Sequence, residues 1–156
     1  MQLSVDWKKP IVLKRGHGSN VTYTLDLQRV GQSPGVYIFA RKWGRAFEAL
    51  YVGKSQDLRS RINGHLNNLK LMNHIENAKN GKLVVIVGNP QTLPGQQMAK
   101  VIKTLERSLI RHFLSKGHDL VNKQGTRIKR HEIESRGGIP KAFVPSSMYL
   151  EKNRGE

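Results

Sequence analysis

Cysteine is absent from the 156 residues, so disulfides and thiolate metal sites are excluded. That absence fits a reducing compartment. Long apolar runs are also missing, and no stretch approaches the length of a membrane span. The first thirty residues carry Asp6, Lys8, Lys9 and Pro10, with no apolar run of signal-peptide length. A soluble, cytoplasmic protein with no membrane contact is therefore expected. There is no HExxH sequence and no Cys/His cluster, which argues against structural zinc. A glycine-rich phosphate fingerprint is lacking, so no small-molecule cofactor is expected. Acidic residues are scarce: eleven Asp and Glu face twenty-seven Lys and Arg, a net charge of +16. Such an excess favours a polyanionic partner.

The length suits one domain with modest extensions, and one core can form without staples. Residues 35–125 hold fifteen basic against five acidic residues, so the excess sits on the expected folded core as well as on the tails. On charge alone the plainer reading is a ribosomal-type or generic RNA binder.

Residues 1–34 read as an N-terminal extension, in which Val21–Leu27 alternates like a strand. Gln32-Ser-Pro-Gly35 is a turn signal. Val36–Ala40 and Phe47–Val52 read as strands joined by a hairpin loop around Gly44. Antiparallel pairing about Gly44 sets Tyr37 opposite Tyr51, with both rings on one sheet face unless a bulge shifts the register. Ser55 is a candidate N-cap for a helix whose stripe is Leu58, Ile62, Leu66 and Leu69. Arg61 and His65, four apart, share a neighbouring face of it. Gly64 either allows close packing or marks a weak point, and Leu71–Lys79 is a second helix or a continuation.

Leu83–Val87 is a continuous apolar run that fits a central strand, and Gly88–Gly95 reads as a loop. A long helix is expected from about Gln96 to Lys116, with a stripe of Met98, Val101, Ile102, Leu105, Leu109 and Phe113. Glu106 sits on the shoulder of that stripe, and Gly117 is a stop signal. Residues 126–156 have no strong period and read as a basic C-terminal arm. The expected fold is α/β of the α+β type: a small central, mainly antiparallel three-stranded sheet flanked by helices over residues 35–125.

Along this order sit Gly35-Val-Tyr37, Tyr51-Val-Gly53, Arg61, His65, Glu106 and Asn122. The ordered set resembles the GIY-YIG nuclease family over about residues 34–124. Valine replaces isoleucine in both tripeptides, which keeps β-branched packing. The resemblance implies a metal-dependent endonuclease that hydrolyses phosphodiesters in single- or double-stranded DNA, with RNA left open. It implies Mg²⁺ or Mn²⁺ as a single divalent ion held by Glu106. By resemblance, Tyr37 is the general base and Tyr51 positions water or phosphate. Arg61 binds the scissile phosphate, which its planar fork suits. Lys54 assists with phosphate, and His65 relays a proton from Tyr37 or holds a water. Asn122 orients the site. Gly35 and Gly53 admit close approach of backbone to phosphate or to a helix.

Taken singly, each residue has a plainer reading. Strand tyrosines are commonly half-buried, a helix arginine is commonly solvated, and a shoulder glutamate commonly pairs with a nearby cation. The residues leave open a restriction-like, single-strand-cutting or defence and toxin-type nuclease. The alternative of another class is a non-catalytic nucleic-acid-binding module on the same fold. One site cuts one strand, so a duplex break requires a homodimer or two visits.

Overall fold

The computed structural model of the chain describes residues 2–18, 23–77, 81–121 and 129–152. The N-terminal segment forms four short strands: β1 (Ser4–Trp7), β2 (Ile11–Val12), β3 (Lys14–Arg15) and β4 (Tyr23–Thr24). Two long strands follow, β5 (Gly35–Trp43) and β6 (Ala46–Ser55), then helices α1 (Leu58–Leu66) and α2 (Leu69–Glu76). Strand β7 (Lys82–Gln91), helix α3 (Met98–Ser115) and the hairpin β8 (Arg130–Glu134) and β9 (Ser147–Glu151) complete the order.

The architecture is α+β. An antiparallel sheet in the order β1-β7-β5-β6, with β2 also paired to β7, separates two helical layers. Its heart is the expected three strands, β7-β5-β6. It is larger than expected because the N-terminal segment supplies β1 and β2 as partners for β7. The same pairing explains why β7 runs on to Gln91 through a stretch that reads as a loop. Ser4–Trp7 pairs with Gly88–Gln91. Beyond Gly88, β7 has left β5 behind, and a strand unpaired on one side tolerates Pro90.

One face of the sheet packs Tyr37, Phe39, Leu50, Tyr51, Val85 and Val87 against Leu58, Ile62 and Leu66 of α1 and Leu71, Met72 and Ile75 of α2. The other packs Ile38, Ala40, Ala49, Val52 and Val84 against Leu109, Ile110, Phe113 and Leu114 of α3. Strands covered on both faces read as continuous apolar runs, as β5 and β7 do.

Helix α1 begins later than the Ser55 expectation, because Ser55 still closes β6. The N-cap is Asp57, whose side chain accepts from Ser60 N at 3.1 Å. The helix stops at Leu66, and Asn68 caps a separate α2 by accepting from Leu71 N at 3.1 Å. That break leaves Leu69 exposed rather than in the stripe. Gly64 faces open space, so its lack of a side chain serves no packing contact. Gly117, at φ +85°, ends α3 as expected.

The arm expectation for residues 126–156 is revised by the β8–β9 hairpin. Its residues are mostly exposed, so no buried period marks it in the sequence. Arg130 holds it to the end of α3: the guanidinium donates to His118 O at 2.6 Å, pairs with Asp119 at 3.2 Å and stacks over Tyr149 at 4.6 Å. Among the described residues no helix is long and apolar enough to cross a membrane.

Candidate active site

The site is set by a bulge. With the tight turn at Gly44 and Arg45, Arg41 pairs with Glu48 and Ala40 with Ala49. Continued unchanged, that register would turn Tyr51 to the α3 side of the sheet, because side chains alternate. Leu50 is the extra residue between Ala49 and Tyr51, and past it Phe39 pairs with Tyr51 and Tyr37 with Gly53. The bulge thus returns Tyr51 to the face of Tyr37. The direct Tyr37–Tyr51 pairing expected from a symmetric hairpin is corrected to an offset of two residues. The shared face is as expected, with ring centroids 6.1 Å apart and nearly parallel planes. The bulged backbone is itself pinned: Val121 N donates to Leu50 O at 2.7 Å. Asn122, the next residue, lies outside the described residues.

Gly53 faces the Tyr37 ring, and a Cβ there would collide with Oη and Cζ. Its freedom serves the tyrosine, not a helix or phosphate. Gly35 does serve close packing: a Cβ would strike Gly88 O and, at 2.8 Å, Leu58 Cδ1 of α1.

From α1, His65 is buried beneath the two tyrosines, and Tyr37 Oη lies 2.5 Å from His65 Nε2. The His65 ring is boxed by aromatic rings: Tyr51 at 5.1 Å, Tyr37 at 5.5 Å and Phe39 at 6.0 Å. Phe39 was not singled out from sequence. Its signal was available, since it stands two residues after Tyr37 on the same strand face. Arg61, one helical turn before His65, brings its charge close enough to influence both phenols.

Burial dominates the electrostatics. It pushes the Tyr37 phenol well above its ordinary value, opposed only in part by Arg61. Tyr51 moves up for the same reason, and Glu106 adds to the rise. Arg61 lowers both phenols, but burial outweighs it, so neither tyrosine rests as a phenolate. Burial, then the Arg61 charge, lowers His65 to about 4, so the imidazole is neutral near pH 7.

Glu106 and Lys54 reach the site from the other sheet face. Helix α3 packs against β6, the outer strand, and against β9 of the C-terminal hairpin. Lys54 Nζ lies 3.3 Å from Glu106 Oε2. Glu106 is only 6 % exposed, and its Oε1 is buried without a hydrogen-bond partner among the described residues. The structure thus gathers Tyr37, Tyr51, Arg61 and His65 into one cluster. It sets the Lys54–Glu106 pair beside that cluster, coupled to Tyr51 through charge rather than contact.

A buried carboxylate oxygen with no partner is costly unless something fills it. A divalent cation fits that position. No group of three or more His, Asp or Glu side chains suited to a metal occurs among the described residues. A single carboxylate, with water and phosphate completing the shell, is the arrangement that suits Mg²⁺. Beside the cluster a cleft of about 580 Å³ opens between the end of β6 and α1. Ser55, Asp57, Ser60, Arg61, His65 and Asn68 line it, with Gly64 among them.

No curated protein and no solved structure matches the chain. A family model described as the GIY-YIG catalytic domain matches residues 33–119, which hold the bulged hairpin, the Arg61–His65 helix and the Glu106 helix. Through those 87 matched residues the chain belongs to the GIY-YIG family, whose members are nucleases that act on nucleic acid and generally require a divalent metal.

Proposed function

We propose that this protein is a divalent-metal-dependent endonuclease that hydrolyses DNA phosphodiesters, using Tyr37, Tyr51, Arg61, His65 and Glu106. The observation that carries the reading is the Tyr37–His65 hydrogen bond, one helical turn from Arg61, together with a buried carboxylate whose Oε1 has no partner among the described residues.

In this reading the scissile phosphate enters the cleft and its oxygens meet the Arg61 fork. Tyr51 helps to hold the attacking water. As the water oxygen bonds to phosphorus, its proton passes to Tyr37 Oη while the Tyr37 proton moves to His65 Nε2. The buried phenol then never carries a full charge, which its raised pKa disfavours. The imidazole is neutral near pH 7 and so has a lone pair for that transfer, which runs in concert with the attack because burial disfavours a lasting imidazolium. Arg61 remains to neutralise charge growing on the phosphoryl oxygens. The bond from phosphorus to the leaving oxygen breaks, and that oxygen takes a proton from water. Glu106, with Lys54 on its other oxygen, would hold Mg²⁺ or Mn²⁺. When bound, that ion supplies Lewis acidity toward the phosphate and the leaving oxygen.

The net charge of +16 supports a polyanionic substrate. The test is incubation of labelled single- and double-stranded DNA and RNA with Mg²⁺ or EDTA, mapping the ends. Internal cuts in DNA that vanish in EDTA are expected. Tight binding with no cutting under any divalent ion would favour the binding-module alternative.

A further inference from the structure

Helix α3 uses one face for the core and one residue, Glu106, for the site. Its outward face carries Lys100, Lys103, Arg107 and Arg111, all exposed and set three or four residues apart. They line a groove of about 510 Å³ with Thr104 and Ser108. The two hydroxyls donate back to the helix, to Lys100 O at 2.9 Å and Thr104 O at 2.8 Å, so the four cations supply the charge. Glu106 is the single acid on the helix, and it is buried. None of the four cations takes part in an ion pair among the described residues. A helix this basic on one face, with no internal neutralisation, stores repulsion unless an anion meets it.

We propose that this face is a docking ridge for the sugar-phosphate backbone of duplex DNA, outside the cleft, on the flank of the phosphate being cut. The ligand class rests on the nuclease reading; the ridge rests on its own residues. At 3.6 residues per turn, the four cations lie between about 60° and 140° around the helix from Glu106. One duplex can therefore present a phosphate near Glu106 and lay neighbouring backbone on the ridge. From Lys100 to Arg111 the ridge runs about 17 Å, the axial length of about five base pairs. Duplex fits better than single strand because no aromatic side chain stands on the ridge to stack an unpaired base. Phosphate contacts of this kind position a duplex without reading its sequence.

The test uses the full chain and a labelled 20-base-pair duplex in EDTA, so that binding is read without cutting. Affinity is measured across a salt series for the wild type and for Lys100→Gln, Lys103→Gln, Arg107→Gln and Arg111→Gln combined. Glutamine keeps helix propensity. The slope of log affinity against log salt should become shallower by about 0.9 per lost phosphate contact, and affinity near 0.1 M salt should fall on the order of a hundredfold. A second variant exchanges lysine and arginine at the same four positions and should restore both values, which excludes misfolding as the cause. Lys9→Gln, Arg45→Gln, Lys70→Gln and Lys82→Gln, equal in charge removed but off the ridge, should have a much smaller effect. Equal losses from the two neutralised sets, or an unchanged slope in the ridge set, would overturn the proposal. Wild-type cutting with an unchanged ridge variant sinks the ridge alone. Ridge-dependent binding without Mg²⁺-dependent cutting sinks the nuclease reading alone.

Discussion

Gly53 and Tyr37 face each other across the β5–β6 hairpin, and the tyrosine ring occupies the space a Gly53 side chain would take. Any larger residue there must move the phenol whose oxygen lies 2.5 Å from His65 Nε2. Gly53→Ala is therefore expected to cut single-turnover cleavage by about a hundredfold or more, since small misplacements of reacting groups cost that much. Duplex binding should change little. Cleavage within about threefold of wild type would show that Tyr37 need not sit where it does.

Tyr37→Phe removes the hydroxyl and keeps the ring that packs against Phe39 and Tyr51. A loss of about 10²- to 10⁴-fold in cleavage rate is expected, the range for a lost acid–base group. Thermal stability should fall by about 1–3 kcal/mol, since His65 Nε2 is left buried without its partner. A variant with near-normal cleavage would move the proton-accepting role away from this strand.

Burial makes His65 a pH-dependent element of stability. Its pKa lies at about 4 in the folded chain against 6.5 ordinarily, so between these values the unfolded chain binds more protons. Its contribution is complete above about pH 6.5 and is lost as pH falls toward 4. His65→Gln should flatten that part of the stability profile relative to wild type, as read by thermal melts from pH 4 to 7. Parallel profiles in the two proteins would contradict the buried, neutral imidazole.

Lys54 shares Glu106 with whatever fills the Oε1 position. Removing the ammonium leaves a buried carboxylate with a greater demand for a cation. Lys54→Gln should lower the Mg²⁺ concentration that gives half-maximal cleavage while lowering the maximal rate. A raised Mg²⁺ requirement would show that Lys54 helps to assemble the metal position rather than competing for it.

Much of the fold was legible because its signals are local. The apolar runs of β5 and β7, the alternation of helix stripes and the stop at Gly117 each depend on nearby residues. The face shared by Arg61 and His65 followed from their spacing alone. What escaped depends on distant partners. The Leu50 bulge leaves no mark in composition, yet it decides which side of the sheet Tyr51 faces. Strand β7 extends past Pro90 only because Ser4–Trp7 pairs with it. The upward shift of the tyrosines likewise could not be read from the nearby cations. It comes from the depth of the Phe39–His65 box, which only the folded packing creates.

Glu106 gives the most direct test of the central claim. Cleavage and binding of the same labelled duplex are measured for Glu106→Ala across a Mg²⁺ series. The account predicts that cleavage is abolished at every Mg²⁺ concentration, while binding in EDTA is unchanged or tighter because a negative charge near phosphate is gone. Retained Mg²⁺-dependent cleavage in Glu106→Ala would contradict it.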